Sequence, residues 1–306
     1  MMDVALLGTG GMMPLPNRHL TALLTRLNGR MLLIDCGEGT QVTMKQQGWG
    51  FKNLDAICFT HFHADHIAGL PGLLHAVNLT ERTEPITFIG PPGLEYYVRS
   101  LCVIAPDLCF GLNFIELENR LKGEIPIPGT EYVLGALPVE HSGPCFAYRI
   151  EARRTGKFDV ERATEIGLPV RYWSFLQRGD NVEFEGRTYT PDMVLGGDRK
   201  GIMVSYCTDA RPSKAISKFI KASDLFVCEG LYGDEEKQPK AASHRHMVYS
   251  EAATLAKNGG VGRLWLTHYS PAMLNPMEHI HNARNIFKNT TAGWDRLSDT
   301  ILFEEN

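Results

Sequence analysis

Four side chains able to ligate a metal stand within six positions, in the pattern His61-x-His63-x-Asp65-His66. Neutral imidazole suits zinc and similar borderline metals, and carboxylate adds a hard oxygen ligand. On a tight loop His61 and His63 can converge on one ion, with Asp65 and His66 facing a second ion beside it. Two ions about 3.5–4 Å apart activate a water and clamp the leaving oxygen of a displacement. A stretch of solvated loop polars has no need of four ligand types at this density.

The flanking residues say how this loop is held. Residues 54–59 (Leu-Asp-Ala-Ile-Cys-Phe) form an apolar run that reads as a buried strand, and residues 67–74 read as the start of a helix. The motif therefore lies at the C-terminal end of a strand, where α/β folds place their chemistry. Further strands are expected at 3–7, 86–90, 113–117, 131–139, 201–208, 224–228, 263–267 and 300–303. Helices are expected at 41–47, 91–104, 158–167, 213–221, 247–258 and 276–289, with a charged loop at 234–245. Residues 20–27 and 30–35 read as a hairpin around Asn28-Gly29.

Three of these strands end on a ligand type: His141, Asp209 and His268. One such histidine alone would be an ordinary loop residue; beside the dense motif it reads as a ligand. A carboxylate at Asp209 could bridge two metals through its two oxygens, and Arg211 could meet a substrate phosphate. Asp35 either orients a ligand imidazole or caps the helix after it. Ligand types at four strand ends describe a site on one edge of a layered α/β fold. Both halves run strand–ligand–helix, which fits a pseudo-symmetric pair of sheets.

Composition sets outer bounds. The chain has 306 residues, 43% hydrophobic and 22% charged, and a net charge of −4. That is an ordinary globular balance, without a coat of nucleic-acid-binding charge. No apolar run reaches the ~18–20 residues of a membrane span. The N-terminus lacks a basic leader and runs straight into a strand, and the seven scattered cysteines include no CxxC. A cytoplasmic protein with reduced thiols is expected.

Residues 151–200 break the pattern. The segment is polar and reads as an arm inserted in a single domain, 1–306, without a core of its own. It carries Arg153, Arg154, Lys157, Arg162, Arg171 and Arg178 among Tyr172, Trp173 and Phe175. Basic residues interleaved with aromatics suit phosphate contact and base stacking, and equally suit a solvated insertion.

The ligand motif, with His141, Asp209 and His268, resembles the metallo-β-lactamase superfamily. Within it the chain is similar to the ribonuclease Z family. The similar segments are Leu7-Gly8-Thr9-Gly10, Asp35-Cys36-Gly37-Glu38-Gly39-Thr40-Gln41, Gly69-Leu70-Pro71-Gly72-Leu73-Leu74 and Leu266-Thr267-His268-Tyr269-Ser270. So is His246, placed before Glu251-Ala252-Ala253; its near neighbour His244 lacks that spacing. The resemblance implies an α/β fold, the αββα four-layer sandwich with an inserted arm. It implies a zinc-dependent endoribonuclease that removes 3′ trailers from precursor tRNA, working as a homodimer with two Zn2+ per chain, or other divalent ions such as Mn2+. One ion would take His61, His63, His141 and Asp209. The other would take Asp65, His66, His268 and the same Asp209. Asp65 would also activate the water, and His246, held by Glu229, would protonate the leaving oxygen. Arg211, Ser270, Arg153, Arg154, Lys157 and Arg171 are the expected substrate contacts. The alternative is a hydrolase of a small phosphodiester, sulfate ester, thioester or lactone on the same fold, which would gain little from a basic arm.

Overall fold

Strand-forming runs and tight turns dominate the first third of the chain. The computed structural model describes residues 1–105, 107–118, 124–197 and 199–304. The chain opens with β1 (Met2–Gly8), β2 (Ala22–Leu27), β3 (Arg30–Ile34), β4 (Leu54–Cys58), β5 (Ile86–Gly90) and β6 (Leu112–Glu116). The β2–β3 turn puts Asn28 at φ 51° and Gly29 at φ 78°. Both signs match the type I′ hairpin that an Asn-Gly pair favours. After it come β7 (Ile125–Pro126), β8 (Tyr132–Pro138), β9 (Phe146–Arg154), β10 (Val182–Phe184), β11 (Arg187–Tyr189), β12 (Arg199–Cys207), β13 (Leu225–Glu229), β14 (Leu264–Thr267), β15 (Thr290–Ala292) and β16 (Ser298–Ile301).

Two seven-stranded sheets result, ordered β16-β1-β2-β3-β4-β5-β6 and β15-β14-β13-β12-β9-β8-β7. Strands β3 to β6 run parallel, as do β12 to β15. Alternate residues of the first sheet, such as Leu24, Leu33, Ile57 and Phe88, pack with Leu70, Leu73, Leu74 and Val98 from helices Leu70–Asn78 and Leu94–Leu101. On the second sheet Phe226, Cys228, Leu264 and Leu266 pack with Ile216, Ala252 and Ala256 from helices Lys214–Phe219 and Tyr249–Gly259. The opposite faces of the sheets meet. The Tyr148 hydroxyl donates to the Phe59 carbonyl at 2.6 Å, and Thr21 and Tyr206 share a hydroxyl hydrogen bond at 2.9 Å. This is the αββα sandwich, and its central seam carries buried tyrosines whose polar tips are satisfied.

By contact density the chain divides into two units: Met1–Glu151 with Ile202–Leu302, and Ala152–Gly201 with Phe303 and Glu304. The second unit corrects the expectation of an arm without a core. Ala163, Leu168, Leu176, Val182, Tyr189 and Val194 are buried together, with Phe158, Tyr172 and Trp173 packed around them. They come from short elements, helices Val160–Glu165 and Trp173–Arg178 and the hairpin β10–β11, and from the loops around Leu168 and Val194.

Local expectations also shift. The charged loop at 234–245 contains a short helix, Gln238–Ser243, with proline in its first turn. The helix expected over 276–289 narrows to Ile280–Arg284. Before it, the Asn275 side chain accepts from Met277 N at 3.0 Å in a turn. Strand β9 went unread because its second half, Arg149 to Arg154, is mostly charged.

Candidate metal centre

The expected ligands do lie at strand ends, and three site residues turn there through an unusual backbone. Asp35 after β3, Asp209 after β12 and His268 after β14 have φ of 59°, 52° and 58°. Left-handed backbone at a non-glycine residue costs roughly 1–3 kcal/mol and persists only where its surroundings impose it. Here it swings a side chain sharply off the strand. Gly11 makes room for the result: a Cβ there would lie 2.6 Å from the His268 ring.

The side chains then converge in two sets. His61, His63, His141 and Asp209 offer ligand atoms within 4.8 Å of one another, and so do Asp65, His66 and His268. Asp209 joins them. Its Oδ1 lies 3.1 Å from His268 Nε2 and 3.3 Å from His66 Nε2, and its Oδ2 lies 3.6 Å from His141 Nε2 and 3.7 Å from His61 Nε2. Asp65 Oδ2 lies 3.4 Å from His268 Nε2.

These residues fit a divalent cation. The Nε2 of His66 faces the Nε2 of His268 at 3.2 Å, while the Asp35 carboxylate accepts from His66 Nδ1 at 2.8 Å. That bond places the His66 proton on Nδ1 and turns the Nε2 lone pair inward. His61 Nε2 and Asp209 Oδ1 are buried without a hydrogen-bond partner. Such atoms are costly unless something else satisfies them. Burial lowers the pKa of His61 well below its ordinary value, which keeps the ring in its ligating neutral form. Burial opposes ionisation of Asp65, but hydrogen bonding to His268 and the electrostatic influence of the neighbouring histidines hold it below the usual carboxylate range.

Beside the cluster, Glu229 accepts from His246 Nδ1 at 2.9 Å and from the Met247 N–H at 3.2 Å. Its other oxygen accepts from Ala210 N at 2.7 Å. Burial disfavours the imidazolium, yet the Glu229 charge and hydrogen bond outweigh it and push His246 up to about 9. The contact with Glu229 thus favours the imidazolium form of His246. A cavity of about 720 Å³ opens here, lined by His63, Asp65, His141, Asp209, His246 and His268 among others.

Several supporting groups carried no sequence signal. The Met12 N–H donates to Asp65 Oδ2 at 2.6 Å. Thr60 Oγ1 lies 3.0 Å from Asp35 and 3.0 Å from His61 Nδ1. The Tyr206 hydroxyl donates to Asp35 at 3.3 Å. Asp35 thus orients His66 rather than capping the helix. Arg245 donates to the His141 carbonyl.

The expected substrate contacts sit differently. The Arg211 fork is bound to both oxygens of Glu251, at 3.0 and 2.5 Å, and donates to the His246 carbonyl. The engaged guanidinium of Arg211, expected as a phosphate contact, ties the His246 segment to Glu251. The Ser270 hydroxyl accepts from Ala272 N at 3.3 Å and caps the turn after His268. Within the second unit, Arg154 donates to the Glu304 carbonyl and lies over Phe303, and Arg171 lies over Tyr172 at 4.9 Å. Arg153 and Lys157 are exposed.

Comparison with known proteins agrees with this geometry. A curated ribonuclease Z of Lachnoclostridium phytofermentans is 53% identical over 306 residues, covering 100% of both chains. The solved structure of the metallo-β-lactamase fold protein YhfI from Bacillus subtilis has a TM-score of 0.69 at 19% identity, covering 97% of this chain and 98% of that one. The short form of human tRNase Z has a TM-score of 0.68 at 23% identity, covering 98% and 100%. A family model described as anti-Pycsar protein Apyc1 matches residues 2–98.

Proposed function

The chain belongs to the ribonuclease Z family, and on that premise we propose that it is a zinc-dependent endoribonuclease that cuts 3′ trailers from precursor tRNA. The observation that carries the reading is Asp209, within 3.1–3.7 Å of four histidines drawn from two ligand sets. A carboxylate so placed can serve two ions at once, one held by His61, His63 and His141 and the other by Asp65, His66 and His268. A cytoplasmic homodimer belongs to the same reading; among the described residues no helix is long and apolar enough to cross a membrane.

When bound, such ions stabilise charge at the phosphorus and make a nearby water more acidic. The remaining work falls to this chain's own groups. Asp65, steadied by the Met12 N–H, takes the proton released as the water oxygen bonds to phosphorus. Protonated His246, anchored through Nδ1 on Glu229, gives the proton of its other ring nitrogen to the departing 3′ oxygen. The P–O3′ bond breaks, leaving a 3′-hydroxyl on the tRNA and a 5′-phosphate on the trailer.

The test is metal stoichiometry against activity. Chelated protein should regain precursor cleavage as zinc is added back, reaching a plateau at two ions per chain. Full cleavage in metal-free protein contradicts the proposal.

A further inference from the structure

One wall of the cavity is not used by this chemistry. Helix Gln238–Ser243 and the two residues after it bring Lys240, Ser243, His244 and Arg245 to the opening that also holds His246. Lys240 and Arg245 are exposed, and among the described residues no carboxylate lies within ion-pair distance of either. Lys240 Nζ rests over the Tyr232 ring, 5.6 Å from its centroid, which gives a long flexible side chain a preferred direction. Arg245 uses one nitrogen on the His141 carbonyl and keeps its other N–H groups available. Its backbone is left-handed, φ 62°, a conformation that glycine would adopt without strain. An arginine held there against backbone preference is a cation fixed in position beside the reacting centre.

Arg211 provides the contrast. It is equally close in sequence to the site, yet both its terminal nitrogens donate to Glu251. Among the described residues, Lys240 and Arg245 are the lysine and arginine that line the cavity. They flank His246, the group that protonates the departing 3′ oxygen. The nucleoside bearing that oxygen must lie on the same side, and its 5′-phosphate follows it.

We propose that Lys240 and Arg245 bind the backbone phosphate that precedes the scissile one, on the tRNA side of the cut. This deepens the ribonuclease reading and rests on it. The two cations fix register along the backbone without reading base identity.

The experiment crosses protein and substrate changes. Precursor tRNA is prepared with an ordinary linkage, with a neutral methylphosphonate at the preceding position, or with one at the following position. Wild type, Lys240→Ala and Arg245→Lys are assayed on each, and on a small chromogenic phosphodiester. Loss of one charge-assisted phosphate contact is expected to lower kcat/KM about tenfold on the ordinary precursor. Lys240→Ala should also reduce the log–log salt slope by about one. On the preceding-linkage methylphosphonate the same variant should lose almost nothing further, because the contact is already gone. Its loss on the small diester should be much smaller than on the precursor. An equal tenfold loss on all three precursors overturns the assignment, as does an equal loss on the small diester. Arg245→Lys, which keeps the charge, separates charge from backbone fit: retention of most precursor activity supports the phosphate role, and collapse on both substrates overturns it for Arg245. Failure of wild type to cut the ordinary precursor refutes the ribonuclease reading itself, and the other rows tell that outcome apart.

Discussion

Oε2 of Glu229 lies 2.9 Å from Nδ1 of His246, while Oε1 holds the amide of Ala210, the residue after Asp209. One buried carboxylate thus fixes both the proposed proton donor and the segment carrying the proposed bridging ligand. His246→Ala should lower turnover by roughly 10²–10⁴, the usual contribution of a positioned proton donor. Bound zinc should stay near two per chain by elemental analysis. A parallel loss of zinc would make His246 a ligand instead, joining Asp209 and His268.

The same pair sets a pH limit. Glu229 raises His246 to about 9, so activity that needs the imidazolium should fall as pH rises through that value. Glu229→Gln removes the negative charge, and the alkaline limb of kcat should move toward neutrality. The stability that the pair contributes has the same sign. It is fully present below the unfolded histidine value, about 6.5, and is lost as pH rises through the folded one. An alkaline limb unchanged in Glu229→Gln would remove His246 from the proton-donor role.

Asp35 is fully buried, orients His66 and gathers Thr60 and Tyr206 around it. Asp35→Asn should weaken metal affinity by roughly 10–100-fold, the usual effect of losing a partner that orients a ligand. Competition with a chelator reads this directly. Unchanged affinity would mean that His66 is held by packing alone.

Far from the site, Arg82 is 1% exposed and binds Asp55 at 2.9 Å as well as the carbonyls of Glu84 and Pro85. Arg82→Ala leaves a buried carboxylate short of a partner and should destabilise the fold by about 3–5 kcal/mol. Denaturant unfolding measures it. Arg30, 2.6 Å from Asp55 from the solvent side, is half-exposed and should cost less on removal.

Legibility in the sequence followed the distance over which groups must meet. His61, His63, Asp65 and His66 are neighbours in the chain, so a loop after a strand suffices to read them. His141, Asp209 and His268 are distant, but each follows an apolar run, and strand ends in such folds share an edge. Glu229 and His246 needed the family resemblance. The rest depends on tertiary contact. Met12 acts through a backbone N–H that any residue but proline supplies. Nothing in the sequence around Arg211 shows that Glu251, forty positions on, pairs with it. The arm's core was hidden because it is assembled from apolar residues scattered over several short elements.

The most direct measurement is cleavage of an end-labelled precursor tRNA by zinc-loaded protein, wild type and Asp65→Ala, beside a small chromogenic phosphodiester. The account predicts one cut near the 3′ end of the acceptor stem, abolished in Asp65→Ala while circular dichroism stays native. Turnover of the small ester with the precursor left intact, or full cleavage by Asp65→Ala, would contradict it.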